Sequence, residues 1–414
     1  MNIKKLVKKF TPSFLLGVYH YCLALCGAVI FGFPSRRLYI IGVTGTSGKS
    51  TTVDFITRIL EEAGHKVASS SSVRFKVGER EWKNTMKMTM PGRFVIQKFL
   101  KQALRERCQY AVIEVTSEGI KQFRHKFIYF DASVFLNLTP EHIDSHGSFE
   151  KYRNAKLQLF KVAKKLHIVN RDDENASYFL DIPAQKTLTF GLHDADVVAS
   201  NIETNDGVLR FTVDDTSFSL NLLGQFNVMN ALASISVAKS QGISLDVCKK
   251  ALEKVEGMPG RLEVVSKEPL VVVDYAFTPE QLTASYQSVK NFSGQKNLVC
   301  VLGACGGGRD KWKRPVLGKI ASENCREIII TNEDPYDEDP LEIMEQVGSG
   351  IENKDYSIVL DRKEAIKKAL ELVKPEDAVI ITGKGAEPLM CLKDGKKIPW
   401  DDRQVVRDLI SGRI

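Results

Sequence analysis

"LYIIGVTGTSGKSTTVDFITRILEEAG", residues 38–64, decides the fold class. An apolar run, a glycine-rich turn and an amphipathic stretch follow one another, which is the order strand, loop, helix. Val53, Ile56, Ile59 and Leu60 share one helical face, as a helix packed on a sheet requires. The loop from Gly45 to Ser50 is one residue shorter between its glycines than the usual eight-residue phosphate loop. Its chemistry is nonetheless that of a phosphate cradle. Glycines let backbone N–H groups turn inward, the helix adds the positive end of its dipole, Lys49 neutralises outer phosphates and Ser50 reaches a magnesium ion.

Outward from that loop the chain alternates. "YAVIEVT", "ASVFLNL" and "HIVN" read as further strands separated by helical patterns, which predicts a mostly parallel sheet with helices on its faces. "DDTSFSLNLLG" reads as a later strand and "NVMNALASISVAKSQG" as a helix ending at Gly242. The stretch "GMPGRLEVV", at 257–265, reads as a linker. Beyond it "LVVVDYA", "NLVCVLGA", "EIIIT" and "AVIITGKG" are four short strands of a second, Rossmann-like α/β unit. The expected domains are therefore an N-terminal segment 1–37, an ATP-binding domain 38–257 and a C-terminal domain 258–414, in keeping with a length of 414 residues.

Composition excludes several classes. Apolar content of 43% and charged content of 26% belong to a globular chain. Eight cysteines form no C-x-x-C pair, which predicts reduced thiols in the cytoplasm and no structural zinc. The net charge is +7, but Lys4, Lys5, Lys8, Lys9, Arg36 and Arg37 are the only charged residues among the first 37, so the remainder is nearly neutral. No nucleic-acid partner is expected. Between Lys9 and Arg36 run 26 uncharged residues, of which a stretch of about 20 approaches the length of a membrane span. Four lysines before the stretch and two arginines after it would place the nucleotide loop outside the cell, away from ATP. A helix or hairpin lying in the inner face of the membrane is therefore preferred to a spanning helix or a cleaved signal. A helix packed on the protein's own surface is the bland alternative.

The chemistry must come from what accompanies the loop. "YAVIEVTSEG" is an apolar strand ending in Glu114, where a nucleotide-binding sheet presents a carboxylate to magnesium. "NLTPEHIDSHGSFEKYRNAKLQLF", 137–160, sets His142 after a strand and Lys156 on a helix. On chemistry alone His142 is a general base or a satisfied loop histidine, since magnesium prefers hard oxygen donors.

Taken together, the loop, Glu114, "EHIDSHG" and "YRNAKLQLF" resemble the ATP-dependent Mur ligase family, whose relatives include folylpolyglutamate and cyanophycin synthetases. The resemblance implies that Gly45, Thr46, Ser47, Gly48, Lys49, Ser50 and Thr51 hold ATP. It implies further that Ser50, Glu114 and His142 hold two magnesium ions with it, and that Lys156, carbamylated by carbon dioxide, completes the second ion's ligands. Lys49, His142 and Lys156 are thereby the catalytic set. "GQFNVMNALA" places Asn227 near adenine, and Arg261 in "MPGRLE" and Asp274 in "DYAFTPEQL" match nucleotide contacts. "GACGGGRDKWKRP", "TNEDPYDEDP" and "TGKGAE" are similar to the branch that adds a diamino acid, meso-diaminopimelate or L-lysine, to UDP-MurNAc-L-Ala-D-Glu. By position Thr89, Thr116, Gln122 and Arg124 would touch this muramyl acceptor. Arg309, Glu333, Asp334, Tyr336, Gly383 and Glu387 would line the amino-acid site.

Three departures accompany the likeness. Tyr336 stands where the family's arginine grips the distal carboxylate of diaminopimelate, and a phenol does not pair a carboxylate as a guanidinium does. Phe277, Glu118 and Ala386 replace expected histidines. Only some 40 residues precede the loop, where the family usually has a UDP-binding domain, which leaves a membrane-linked acceptor as an expectation. The alternatives left open are a MurT-like enzyme acting on a lipid-linked precursor and a folylpolyglutamate- or cyanophycin-type ligase. A monomer at the inner face of the membrane is expected.

Overall fold

The computed structural model describes residues 12–412 apart from 206 and 295, so the lysines at 4, 5, 8 and 9 lie outside the described residues. The chain divides into two compact units. Met1–Leu138, Glu150–Val198 and Met229–Ala251 make the first, and Thr139–Phe149, Ala199–Val228 and Leu252–Ile414 the second.

The first unit opens with helix α1 (Ser13–Phe31). Strand β1 (Tyr39–Thr44), helix α2 (Lys49–Glu62) and strands β2 (Val67–Ser70), β3 (Arg74–Val77) and β4 (Arg80–Lys83) follow. Then come α3 (Arg93–Arg105), β5 (Tyr110–Glu114), α4 (Ser117–Lys121), β6 (Ala132–Phe135), α5 (Phe149–Val162), β7 (Leu166–Asn170) and β8 (Lys186–Gly191). The strand order is β8-β7-β6-β1-β5-β2-β3-β4. It is parallel from β8 to β2, with β3 and β4 added as an antiparallel edge. Ile40 to Thr44 are all buried, as a parallel strand covered on both faces demands. Val53, Ile56, Ile59 and Leu60 are buried on α2, so the helical face read from the sequence is the packed one. Most of α6 (Phe226–Ser240) packs here too, and its Asn230 accepts a hydrogen bond from Thr52 Oγ1 at 3.3 Å.

Helix α1 is apolar at nearly every position, and among the described residues it is packed along the side that carries Gly17, Tyr21, Ala24, Gly27 and Ala28. Ala24 and Ala28 are buried, and a Cβ on Gly27 would touch the backbone of Arg93 and Phe94 in α3. Among the described residues no helix is long and apolar enough to cross a membrane.

β9 (Val197–Asn205), which lies in the second unit from Ala199 on, forms an antiparallel meander there with β10 (Val208–Val213) and β11 (Thr216–Leu220). The main sheet holds β12 (Glu263–Lys267), β13 (Leu270–Val273), β14 (Asn297–Leu302), β15 (Glu327–Thr331), β16 (Ser357–Val359) and β17 (Asp377–Ile381) in the order β12-β13-β17-β14-β15-β16. It is parallel except for β12. Alternate residues face opposite layers. Val272, Leu298, Ile330 and Ile380 pack with α7 (Pro279–Phe292), α8 (Lys313–Asn324) and α9 (Pro340–Gly348). Val271, Val299, Ile329 and Val379 pack with α10 (Arg362–Leu372) and α11 (Asp402–Ile410). One expectation is corrected here, because Cys300 and Cys325 are joined in a disulfide with Cα atoms 6.0 Å apart. Folding buries a thiol of β14 beside one at the end of α8, a neighbourhood that a sequence separation of 25 conceals. The other six cysteines are free.

Candidate active site

The phosphate-loop cluster lies in the first unit at the carboxyl ends of β1, β5 and β6. Gly48 caps α2 with φ +80°, and a Cβ there would sit 2.2 Å from Asn230 Oδ1, so both conformation and space demand glycine. Lys49 Nζ donates to the carbonyls of Gly45 (2.9 Å) and Thr46 (2.7 Å). The N–H groups of Thr46 and Ser47 donate to Asn137 Oδ1 at 3.0 and 2.8 Å, and Thr46 Oγ1 lies 3.0 Å from the Tyr152 hydroxyl. Ser50 Oγ donates to Glu114 Oε2 (2.8 Å) and lies 2.7 Å from Ser72 Oγ. The Ser72 N–H donates to the same Glu114 oxygen at 2.8 Å. Three hard oxygen donors thus converge.

Lys156, carried by α5, is buried and donates to the Gly45 carbonyl at 2.7 Å above the Tyr152 ring. Burial, then the nearby Lys49 ammonium, hold its pKa well below the usual lysine value, against the pull of Glu114. The neutral amine is the form that reacts with carbon dioxide.

In the same unit Arg124 donates to the Met90 carbonyl and, at 2.8 Å, to Gln122 Oε1. Thr116 caps α4 by accepting from the Gly119 N–H at 3.1 Å. A Cβ on Gly119 would meet both Met90 Sδ and Thr116 Oγ1, so Thr116, Gln122, Arg124 and the residue after Thr89 form one neighbourhood.

The second unit holds the other group. Lys384 is buried and donates to Asp334 Oδ2 (2.8 Å), Glu387 Oε2 (2.6 Å) and the Leu389 carbonyl (2.9 Å). The Tyr275 hydroxyl donates to Glu387 Oε1 at 3.0 Å, and the Arg261 guanidinium stacks 4.3 Å from the Tyr275 ring centroid. Glu333 is buried with its Oε2 unpartnered among the described residues, and burial pushes its pKa up to about 7 despite Arg362 and Lys384. Gly383, at φ +103°, presses on this carboxyl so closely that a Cβ would lie 2.1 Å from Oε2. Tyr336 covers Gly307, and Arg309 lies within electrostatic reach of Tyr275 and Tyr336. The Asp274 carboxylate accepts from the Leu262 and Tyr275 N–H groups and from Ser285 Oγ, which makes it an anchor for the chain entering the unit. Asn227 Nδ2 donates to the Leu223 carbonyl at 2.8 Å.

His142 is also in the second unit, in left-handed conformation before a short helix, Ile143–His146. Asp310 holds that turn by accepting from the Ile143 and Asp144 N–H groups at 3.2 and 2.9 Å. Glu141, next to His142, pairs with Lys313 at 2.9 Å, both side chains being 2% exposed.

Family models described as the Mur ligase middle domain and the Mur ligase glutamate ligase domain match residues 43–238 and 260–385. The UDP-N-acetylmuramoyl-L-alanyl-D-glutamate--2,6-diaminopimelate ligase of Syntrophomonas wolfei subsp. wolfei is 37% identical over 406 residues, covering 95% of this chain and 82% of the relative. This chain belongs to the Mur ligase family. The ligase of the same name from Clostridium tetani is 37% identical over 398 residues, covering 94% of this chain and 81% of its own length. A solved diaminopimelate ligase aligns with TM-score 0.61 and 30% identity over 91% of this chain and 79% of that one. Folylpolyglutamate synthase of Mycobacterium tuberculosis, complexed with ADP and AMPPCP, shares the fold at TM-score 0.72 and 17% identity, over 88% of this chain and 92% of its own.

Mur ligases are ATP-dependent and use magnesium, and the donor set suits that ion. Ser50, Ser72 and Glu114 supply oxygen only. Ser72, Asn137 and Tyr152 were not picked out from the sequence. Their signal is that each joins the loop from the end of another element, which pairing of the strands reveals and linear spacing does not. Lys384 was missed as well, although it lies inside the quoted "TGKGAE".

Proposed function

We propose that this Mur ligase joins the amine of a diamino acid to the terminal carboxylate of a UDP-MurNAc-L-Ala-D-Glu-type acceptor in peptidoglycan precursor synthesis. The observation that carries the reading is the convergence of Lys49, Ser50, Glu114 and Lys156 on one loop, in a chain 37% identical to diaminopimelate ligases. The terminal phosphoryl group of ATP passes to the acceptor carboxylate with loss of ADP. The amine then attacks the acyl phosphate, loses a proton and expels phosphate. Bound magnesium neutralises phosphate charge, and the residues assigned to hold it are Ser50, Glu114 and His142, with Lys156 as its carbamate at a second ion. Gly45 to Thr51 grip the phosphates, and Asn227, Arg261 and Asp274 are assigned to the nucleotide. Thr89, Thr116, Gln122 and Arg124 are assigned to the acceptor. Residues 38–257 and 258–414 are the two catalytic domains of this reading.

Arg309, Glu333, Asp334, Tyr336, Gly383 and Glu387 are assigned to the amino acid. The diamino acid is L-lysine or meso-diaminopimelate, and tyrosine at 336 offers no guanidinium to grip the distal carboxylate of the latter. The protein is placed at the inner face of the membrane, attached peripherally through residues 1–37. ADP release with ATP, magnesium, bicarbonate and the UDP-dipeptide, measured across lysine, meso-diaminopimelate, ornithine and no amino acid, tests the reading. Turnover that needs one diamino acid, with the product mass confirmed, supports it. Nucleotide binding without turnover on any of them refutes it.

A further inference from the structure

Helix α1 has a second face that no described residue of the first unit covers. Leu15, Val18, Tyr19, Leu25, Val29 and Ile30 are 37–66% exposed, and the two cysteines between them on the stripe, Cys22 and Cys26, are exposed as well. The spacing is i, i+3, i+4, i+7 throughout, so the residues form one band about 22 Å long with no polar member. Beside Gly27, where α3 comes closest, Phe94 and Val95 are also exposed. A contiguous apolar surface of this kind on a water-soluble unit marks an interaction site.

The surroundings say what it meets. Helix α3 carries Arg93, Lys98, Lys101 and Arg105 and no acid, and Lys98 and Arg105 are exposed. Just past the same, C-terminal end of α1, Arg36 donates to the Tyr129 hydroxyl at 2.7 Å and stacks on the Phe33 and Tyr129 rings, with Tyr129 and Arg37 exposed beside it. Residues 1–37 contain six cations and no Asp or Glu. An apolar band flanked at its C-terminal end by cations and by tyrosines, with no acid on either helix, is complementary to hydrocarbon under anionic headgroups. A second copy docked on the same face would bring these like charges together.

We infer that the outer face of α1, with Phe94, Val95 and the cations of α3, is a docking surface for an anionic lipid leaflet, α1 lying in its plane. This deepens the peripheral attachment proposed above and rests on it. The test reads lipid partition alone, so its failure is distinct from failure of the ligase reading. The full chain is floated with phosphatidylcholine vesicles, with and without about one third phosphatidylglycerol. Partition about tenfold higher on the anionic vesicles, falling with added salt, is expected. Val18→Asp with Val29→Asp lowers it about tenfold on both compositions, and Lys98→Glu with Lys101→Glu lowers it on anionic vesicles alone. Unchanged ATP binding shows that the variants remain folded. Protein that stays in solution with both vesicles, binding that neither variant changes, or a concentration-dependent dimer that the aspartates dissociate without lipid binding, each overturns the inference.

Discussion

The buried pair formed by Lys313 and Glu141 gives a quantitative test. The two charges lie 2.9 Å apart, each side chain is 2% exposed, and the second Glu141 oxygen has no partner among the described residues. Lys313→Met keeps the volume and leaves the carboxylate stranded. Breaking a buried pair from one side costs about 3–5 kcal/mol, and a unit of this size loses about 2–4 °C of Tm per kcal/mol, so Tm falls by at least about 6 °C. The sign with pH follows from the carboxyl. Burial already raises the Glu141 pKa, against the lowering by Lys313, and the variant removes that opposing lysine. A carboxyl whose pKa is raised by folding binds its proton more tightly in the folded state. The variant therefore approaches the parent at acid pH and loses stability as pH rises through the folded pKa. Thermal unfolding followed by circular dichroism at a series of pH values reads both effects. Lys313→Met with Glu141→Met removes both charges and restores most of the loss. A single variant melting within about 2 °C of the parent at neutral pH refutes the reasoning, as does a double variant no better than the single.

Further outcomes follow from the two residue groups. Lys156→Ala removes nearly all ligation while leaving the melting temperature near the parent's, and added acetate restores part of the rate; full activity without acetate refutes the carbamate role. Ser72→Ala weakens magnesium dependence about tenfold, read as the ion concentration giving half-maximal ATP turnover, if its hydroxyl belongs to the ion site with Ser50 and Glu114. Tyr336→Arg shifts kcat/KM toward meso-diaminopimelate and away from lysine by about tenfold or more. Burial pushes the Glu333 pKa up to about 7, so the folded protein keeps this proton where the unfolded chain has lost it, and stability falls between about pH 4.5 and 7 by up to about 3 kcal/mol. Glu333→Gln flattens that dependence in urea unfolding.

What could be read in advance was local. The order of β1, loop and α2 and the acid closing β5 are written in consecutive residues whose period matches the element they form, so Lys49, Ser50 and Glu114 could be named without coordinates. Ser72, Asn137 and Tyr152 gain their meaning from strand order. Ser72 is 42 residues from the carboxylate it binds, and Tyr152 is 106 from its threonine. Lys384 looks like a surface cation until folding sets it between Asp334 and Glu387. The pairing of Cys300 with Cys325 was hidden for the same reason. Helix α1 failed differently, since an apolar residue at nearly every position gives no periodicity from which to tell its packed side from its bare one.

The Gly45 carbonyl accepts from Lys49 at 2.9 Å and from Lys156 at 2.7 Å, one oxygen shared by two amines. Nucleotide binding at this loop is therefore an exchange. Phosphate oxygens must draw Lys49 away from carbonyls that already satisfy it, so measured affinity understates the contacts made in the complex. The same arrangement keeps the loop's shape between turnovers, which lowers the ordering cost of the next ATP. A lysine at the mouth of the cradle thus acts as a placeholder, holding open in the resting protein the geometry it later shares with its guest.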